Sequence, residues 1–108
     1  MLNCAALDRI FHALSDRWRR WIIECLSDGQ PASVSQIAEP LPIALATILR
    51  HLKVLEDSGL IHTQKVGRVR TCRIEPQALH LLDDWITPRR RLWDRSLQQP
   101  YVDFFSHR

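Results

Sequence analysis

The chain has 108 residues, enough for one domain with a modest hydrophobic core and too few for two ordinary domains. Hydrophobic residues make up 45% of the sequence and charged residues 25%, a composition that excludes a largely disordered protein. The formal net charge of +3 is unevenly distributed, because six basic and only two acidic residues lie between positions 44 and 73, as in a nucleic-acid contact or a solvated basic surface.

Two short helices are predicted in the first part of the chain. Apolar residues recur at helical spacing over residues 2–14. Ser15 or Asp16 can cap a second helix, because a short oxygen-bearing side chain accepts hydrogen bonds from the free amides of a first turn. Its apolar stripe consists of Trp18, Trp21, Ile22, Cys25 and Leu26. Gly29 should end this helix in the left-handed conformation.

A helix-turn-helix is predicted at about residues 33–57. Ser33 is a candidate cap for a short helix that runs to about Glu39. Pro40 and Pro42 require a turn, because each removes an amide donor and disfavours helix at the residue before it. The second helix follows this turn and should end at Ser58-Gly59.

The second helix of this motif is predicted to be amphipathic. Its buried face should consist of Leu41, Leu45, Ile48, Leu52 and Leu55, which are spaced alternately by four and three. The opposite side should present Thr47, Arg50 and Val54, with Ala46 and Lys53 on one flank and His51 on the other. Such a helix suits the DNA major groove, although an ordinary helical hairpin in a core has the same pattern.

A basic β-hairpin is predicted directly after this motif, at about residues 60–75. Two runs with β-branched residues flank Gly67-Arg68, which is typical of a two-residue hairpin turn. Lys65, Arg68 and Arg70 lie at or near its tip, where they can reach a phosphate backbone or minor groove beside a docked helix. A helix-turn-helix followed by such a hairpin predicts a winged helix.

A final helix is predicted at about residues 76–98, with a kink or break at Thr87-Pro88 and a second break at Pro100. The resulting single domain, residues 1–108, is mainly α with a small β-hairpin, in the order four helices, two strands and one helix. Both chain ends carry more large apolar residues than so small a domain buries, so we expect a symmetric dimer. The expected interface residues are Leu7, Ile10, Phe11, Leu82, Trp85, Trp93 and Leu97. A monomer whose tail folds over its own core is the alternative.

Several runs of residues resemble the ArsR-type winged-helix transcriptional regulators. They are Ile-Phe-His-Ala-Leu-Ser-Asp at 10–16, Arg19-Arg20, Ser-Gln-Ile-Ala-Glu-Pro at 35–40, His-Leu-Lys-Val-Leu-Glu at 51–56, Gly-Leu-Ile at 59–61 and residues 67–76. The tail around Trp85 and Trp93 is similar to a branch of the family without the metal-binding cysteine box. The resemblance covers about residues 7–97 and implies a homodimeric, repressor-like protein that binds a short inverted repeat in a promoter.

Three positions depart from the family pattern. The family usually has a serine where Ala44 stands, and loss of that cap oxygen should cost about 1 kcal/mol of helix stability. It has a small polar residue where Leu49 stands, so Leu49 is either half-buried or placed to touch a thymine methyl group. Trp18 replaces a smaller residue and belongs either to the core or to an interface.

Cys4, Cys25 and Cys72 are odd in number and far apart, so they do not indicate a disulfide framework. Cys72, between Arg70 and Arg73, is the cysteine whose basic surroundings suit a thiol switch, and a strand residue facing the core is the alternative. Metal-sensing members of the family carry a cysteine pair near the helix-turn-helix or carboxylates and histidines on the last helix. Neither set is present, and we expect no metal site and no cofactor.

No spacing of nucleophile, base and oxyanion donor indicates an enzyme. The sequence also lacks a long apolar run and a secretory signal, so we expect a cytoplasmic protein with no membrane contact. The predicted function is transcriptional regulation on double-stranded DNA, with an unknown inducer. A winged-helix interaction module without DNA binding, and a thiol- or metal-responsive sensor using isolated cysteines, are the alternatives.

The candidate DNA contacts divide into two groups. Base edges should be contacted by Thr47, Arg50, His51 and Ala46. Phosphates should be contacted by Lys53, Lys65, Arg68 and Arg70, assisted by Ser33, Ser35 and Gln36.

Overall fold

Helices and a small antiparallel sheet make up the fold, as the sequence predicted. The computed structural model describes the backbone of residues 4–106 and the side chains of residues 4–96. The elements are α1 (Cys4–Ala13), α2 (Arg17–Cys25), β1 (Ala32–Ser33), α3 (Val34–Ala38), α4 (Leu45–Asp57), β2 (Ile61–Val66), β3 (Val69–Ile74) and α5 (Pro76–Ser106). No helix formed by the described residues is both long enough and apolar enough to span a membrane.

Local side-chain chemistry determines where α2 and α3 begin. Asp16 caps α2, because its Oδ2 accepts hydrogen bonds from the amides of Trp18 at 2.8 Å and Arg19 at 3.1 Å. Ser33 and Gln36 form a capping box at α3, in which each side chain accepts from the other residue's amide. The predicted caps at these two positions are confirmed.

Helix α4 begins without such a cap. Ala44 occupies the cap position with extended backbone angles, φ −66° and ψ 147°, and no side-chain hydrogen bond. The helix ends before Gly59, whose φ of +82° is the left-handed conformation expected at a helix stop. The turn between β2 and β3 likewise has a positive φ, +63°, at Gly67.

The sheet has the strand order β1-β3-β2, with every pair antiparallel. The predicted hairpin is confirmed, with Val66 opposite Val69 beside the turn. Strand β1 was not predicted. Its two residues, Ala32 and Ser33, pair with Cys72 and Thr71, and two residues are too few to show an alternating pattern.

One core lies between the first four helices, the start of α5 and the sheet. Its buried residues are Ile10, Ala13, Ile22, Leu26, Ile37, Leu41, Ile48, Leu52, Leu55, Leu60, Ile61, Cys72 and Ala78. Ile10 is only 1% exposed, so the prediction that it forms part of a dimer interface is wrong: α1 turns this side chain into its own protomer's core. Cys25 was predicted to share the apolar stripe of α2 but is exposed.

Helix α5 is a single helix of 31 residues, so the break predicted at Pro100 is wrong, and of the two possibilities predicted at Thr87-Pro88, a kink or a break, the break is wrong. Proline removes one donor from the helix ladder, but Pro88 lies on an exposed stretch where water can bond the freed carbonyl. The Arg89 guanidinium also donates to the Trp85 carbonyl across this turn, at 2.8 Å. Since α5 alone is about 46 Å long, the radius of gyration is 17.9 Å, against about 13 Å for a compact domain of this length.

Candidate nucleic-acid interface

The exposed face of α4 is rotated relative to the prediction. Ile48, Leu52 and Leu55 are buried as expected, but Leu45, predicted to join them, is 56% exposed. It lies in the first turn of α4, beyond the part of the helix that the core covers. The exposed residues of α4 on this side, which we call the α4 outer face, are Leu45, Ala46, Leu49, Arg50 and Lys53.

The opposite flank of α4 is covered by α1 and α2. Thr47, His51 and Val54 lie on this flank and are half-buried, so the prediction that Val54 projects from the protein is wrong. Apolar spacing locates the middle of a buried face, but it does not show how far neighbouring helices extend that face to one side. The α4 outer face is therefore narrower than expected.

His51 is turned away from the α4 outer face. Its side chain is only 12% exposed, and its Nδ1 lies 3.1 Å from Arg19 Nη1. A guanidinium only donates hydrogen bonds, so Nδ1 must accept, and the proton of the neutral ring is on Nε2. Nε2 in turn faces Asp16 Oδ2 at 3.8 Å. The predicted base contact by His51 is therefore wrong, because the ring is used to join α4 to α2.

Arg19 and Asp16 complete this junction. The Arg19 guanidinium also donates to the carbonyls of Ala13 at 2.7 Å and His12 at 3.2 Å, at the end of α1. Burial raises the pKa of Asp16, but the amide hydrogen bonds from Arg19 and Trp18 and the positive charge of Arg19 outweigh it, so the pKa lies below its ordinary value. The sequence predicted a cap at Ser15 or Asp16 but not this cluster, since no short-range pattern links position 19 to position 51.

The hairpin formed by β2 and β3, which we call the wing, places its basic side chains beside α4. Lys65, Arg68 and Arg70 line an open groove of about 500 Å³ together with Leu49. The other lining residues are Ser33, Val34, Ser35 and Val69. Within the described ranges the acidic side chains that face a basic group are Asp16, beside His51, and Asp57, beside Lys53, so the three wing cations have no acidic partner there. The groove therefore lies between the α4 outer face and three positive charges of the wing that no acidic side chain neutralises.

The other residues predicted to contact DNA differ in whether their polar atoms already have partners within the protein. Ser35 is exposed at the edge of the groove. Ser33 and Gln36 use their oxygens in the capping box, but the serine hydroxyl and the glutamine amide each keep a donor. Lys53 Nζ lies 3.0 Å from Asp57 Oδ1, and both side chains are largely exposed, so water and salt screen this pair and leave the lysine able to exchange partners.

The surface residues of α1 and α5 form a second, apolar region. Phe11 and Trp85 pack edge to face with their ring centres 5.7 Å apart, and Arg89 lies 4.3 Å from the centre of the Trp85 ring. Trp93 is 63% exposed, whereas Leu7 and Leu82 are half-buried. The side chain of Leu97, also predicted at the interface, lies outside the described residues.

The surroundings of Cys72 and Cys25 do not favour a reactive thiolate. Cys72 is fully buried on β3, which confirms the alternative of a strand residue facing the core. Burial raises the pKa of its thiol, and the charge of Arg70 does not offset this effect. Cys25 is exposed overall, but partial burial of its thiol and the charge of Glu24 raise the pKa of this group as well. In the described part of the chain, no three His, Cys, Asp or Glu side chains converge as metal ligands would.

Comparison with known proteins identifies the domain. Residues 9–64 match the family described as a helix-turn-helix domain. The HTH-type transcriptional regulator Rv2034 of Mycobacterium tuberculosis is 36% identical over 90 residues, which cover 83% of this chain and 80% of that protein.

Solved structures give the same result. The crystal structure of an ArsR family transcriptional regulator is similar with a TM-score of 0.76 and 43% identity, covering 83% of this chain and 92% of that one. An ArsR-like transcriptional regulator from Rhodococcus sp. RHA1 has a TM-score of 0.70 and 34% identity, covering 87% and 88%. These relatives are transcriptional regulators and not enzymes, as the sequence predicted. The chain belongs to the ArsR family of winged helix-turn-helix transcriptional regulators.

Proposed function

We propose that this regulator is a repressor that binds an inverted-repeat operator as a homodimer. The observation that carries the proposal is the groove between α4 and the wing, where the basic side chains of Lys65, Arg68 and Arg70 lie beside the α4 outer face. A helix in the major groove with a cationic hairpin over the neighbouring phosphates is a common way for such domains to bind DNA.

Each part of the DNA-facing surface has a distinct role in this proposal. Arg50 contacts base edges, and the half-buried Thr47 positions it, since the 3.4 Å hydrogen bond from Arg50 Nη2 to Thr47 Oγ1 holds the guanidinium near the N-terminal half of α4. Lys65, Arg68 and Arg70 contact phosphates, together with Ser35 at the edge of the same groove and Lys53 of α4. Phosphate contacts set the register of the protein on DNA, and the base contacts select the sequence.

The homodimer is supported by the apolar region on α1 and α5. Phe11, Trp85, Ile86, Leu92 and Trp93 are large and exposed. Water contact with so many apolar side chains is unfavourable, and a two-fold axis through this region would cover each set with its copy. Two α4 helices related by that axis would meet half-sites about 34–36 Å apart, or a multiple of this, which requires an inverted repeat.

Repression follows from where such a dimer would bind. A protein held on a promoter occupies DNA that RNA polymerase needs, and the resemblance to repressor-like ArsR regulators supports this direction of control. The test is selection of bound sequences from random DNA, then transcription in vitro from a promoter that contains the selected site. Enrichment of an inverted repeat and reduced transcript are expected, whereas increased transcript would exclude repression.

A second candidate function is a protein-interaction module that kept the fold but not DNA binding. The observation in its favour is that the α4 outer face carries Leu45 and Leu49, both exposed and both apolar. The same selection separates the two candidates. If no DNA sequence is enriched, and if any remaining binding to DNA does not depend on salt concentration, the interaction module is favoured.

A further inference from the structure

The large apolar side chains exposed in the described residues fall into two groups. The first lies on α1 and α5 and is the proposed dimer interface. The second lies on the DNA-facing side, at Leu45 and Leu49 of α4 and at Val66 and Val69 of the hairpin. Dimerisation through α1 and α5 leaves this second group uncovered, so its exposure requires a different explanation.

We propose that Leu45 and Leu49 select thymines in the operator by contacting their C5-methyl groups in the major groove. The inference rests on the proposed function, since it requires α4 to be docked on DNA. Leu45 is the first residue of α4, and Leu49 lies one turn later on the same face. The N-terminal residues of a recognition helix are those that reach base edges, so both leucines are in the right part of the helix.

The chemistry of the four bases limits what a leucine can recognise. In the major groove guanine, adenine and cytosine present hydrogen-bonding groups, whereas thymine also presents a methyl group. A leucine side chain offers no donor or acceptor, so it would leave those polar groups unsatisfied and would pack well only against the methyl. Ala46, beside them on the α4 outer face, is too short to keep the leucines away from the bases.

The surroundings of Leu49 favour DNA over an apolar protein partner. Leu49 lines the same groove as Lys65, Arg68 and Arg70, which have no acidic partners among the described residues. An occupant must therefore combine negative charge at the rim with an apolar group at the centre. A thymine-containing DNA strand has both, since its phosphates lie outside the methyl-bearing edge of the groove.

The test removes only the C5-methyl group of thymine and leaves its hydrogen-bonding groups in place. Binding of the full chain to its selected operator is measured by fluorescence anisotropy at fixed salt, with each thymine in turn replaced by deoxyuridine, which lacks the methyl but keeps the hydrogen-bonding groups. Burial of one methyl is worth about a fourfold change in affinity. The wild-type protein should lose about this factor at two thymines in each half-site and no affinity at the others.

Variants assign each methyl to its leucine. Leu49→Ala should remove the difference between thymine and deoxyuridine at one position, and Leu45→Ala should remove it at the other. Leu49→Met keeps an apolar side chain and should retain the preference. Arg68→Ala is the control, because it should weaken both duplexes equally and leave their ratio unchanged. Both leucines are exposed, so their alanine variants should melt at the temperature of the wild-type protein.

The possible outcomes separate this inference from the proposed function. Equal affinity of the wild-type protein for thymine and deoxyuridine duplexes overturns the methyl contact, although sequence-specific DNA binding stands. Persistence of the preference in both alanine variants also overturns the assignment to these leucines. If no sequence is selected at all, the proposed function fails and this inference fails with it.

Discussion

Arg19 joins helix α4 to the rest of the domain through His51. The two residues are 32 positions apart in sequence, yet Arg19 Nη1 lies 3.1 Å from His51 Nδ1. The same guanidinium donates from Nε to the Ala13 carbonyl, at 2.7 Å. One side chain therefore connects the end of α1, the start of α2 and the middle of α4. The orientation of the α4 outer face depends on a residue that does not belong to it.

Replacing Arg19 should weaken DNA binding indirectly. Arg19→Ala removes the hydrogen bonds to His51 and to the α1 carbonyls, and we expect a loss of about 1–2 kcal/mol in the free energy of unfolding, measured by urea denaturation. The affinity for the operator should fall because α4 is held less firmly. The slope of log affinity against log salt should stay unchanged, since the Arg19 side chain neutralises no phosphate in this role.

Arg20→Ala is the matched control for this variant. Arg20 also donates to a carbonyl, that of Leu14 at 2.7 Å, but on the exposed side of the protein and without a link to α4. The Arg20→Ala substitution removes the same charge as Arg19→Ala. It should change both the stability and the operator affinity less than Arg19→Ala does. A lower salt slope in Arg19→Ala alone would show that Arg19 contacts DNA, contrary to the role assigned here.

The Asp16 carboxylate should make stability depend on pH in the acidic range. Its pKa in the folded protein lies below the ordinary value of 3.8, which means that the folded state favours the charged form. Its contribution is therefore fully present above pH 3.8 and is lost as the pH falls through the lower, folded-state value. Since the side chain is 32% exposed, solvent screening keeps this contribution small.

Asp16→Asn isolates this charge, because asparagine is also a good cap residue. The wild-type protein should be more stable than the variant near neutral pH, and the difference should shrink as the pH falls below about 3.8. Thermal unfolding followed by circular dichroism from about pH 7 to about pH 3 measures it. If the difference is the same at both ends of the range, the carboxylate is not stabilised in the folded state.

Most of the fold could be predicted because its signals are local. The caps at Asp16 and Ser33, the helix stop at Gly59 and the hairpin turn at Gly67 each depend on a few neighbouring residues. A side chain that satisfies free amides, or a residue that tolerates a positive φ, has the same effect in any fold. These positions divide the chain into nearly the elements that are observed.

The parts that could not be predicted depend on distant residues. Strand β1 exists because Ala32 and Ser33 meet β3, about forty positions later in the chain. His51 turns inward because Arg19 lies on the neighbouring helix, and Leu45 is exposed because the core ends before the first turn of α4. A periodic pattern contains no information about where a packing partner stops. The α4 outer face was therefore the least predictable part of the candidate site.

Restoring a cap oxygen at the start of α4 should stabilise the protein. Ala44 already has the extended backbone of a cap residue, and no side chain accepts from the free amides there. Ala44→Ser should raise the free energy of unfolding by about 1 kcal/mol, measured by urea denaturation. Ala46→Ser is the control, because a serine inside the helix cannot serve as its cap and should slightly lower stability. Equal effects of the two serines would contradict capping as the cause.

Trp93 should contribute to association without contributing to the stability of a single protomer. It is 63% exposed, whereas Trp85 packs on Phe11 within the same chain. If α5 pairs with its copy, Trp93→Ala should weaken the dimer by about 2 kcal/mol, measured by sedimentation equilibrium. Trp85→Ala should lower both association and the unfolding temperature of the protomer. A wild-type mass near the 12.6 kDa of one chain at micromolar concentration would contradict the dimer itself.

Arg50 and Arg68 form a matched pair that separates sequence reading from charge attraction. Both are exposed arginines, so replacing either by alanine removes the same charge from the surface proposed to face DNA. Arg50→Ala should cost about 1–3 kcal/mol on the operator and relax the preference at one base pair of each half-site. Arg68→Ala should weaken binding to all sequences alike and reduce the salt slope by about 0.9 for each phosphate that the variant no longer neutralises.

The comparison requires the operator and an unrelated duplex, each titrated at several salt concentrations. The ratio of the two affinities should fall for Arg50→Ala and stay constant for Arg68→Ala. If the ratio falls instead for Arg68→Ala, the wing reads sequence, and the division of roles between α4 and the hairpin is reversed. Because the two substitutions change the net charge equally, a difference between them cannot come from the overall field of the protein and must come from where each guanidinium meets the DNA.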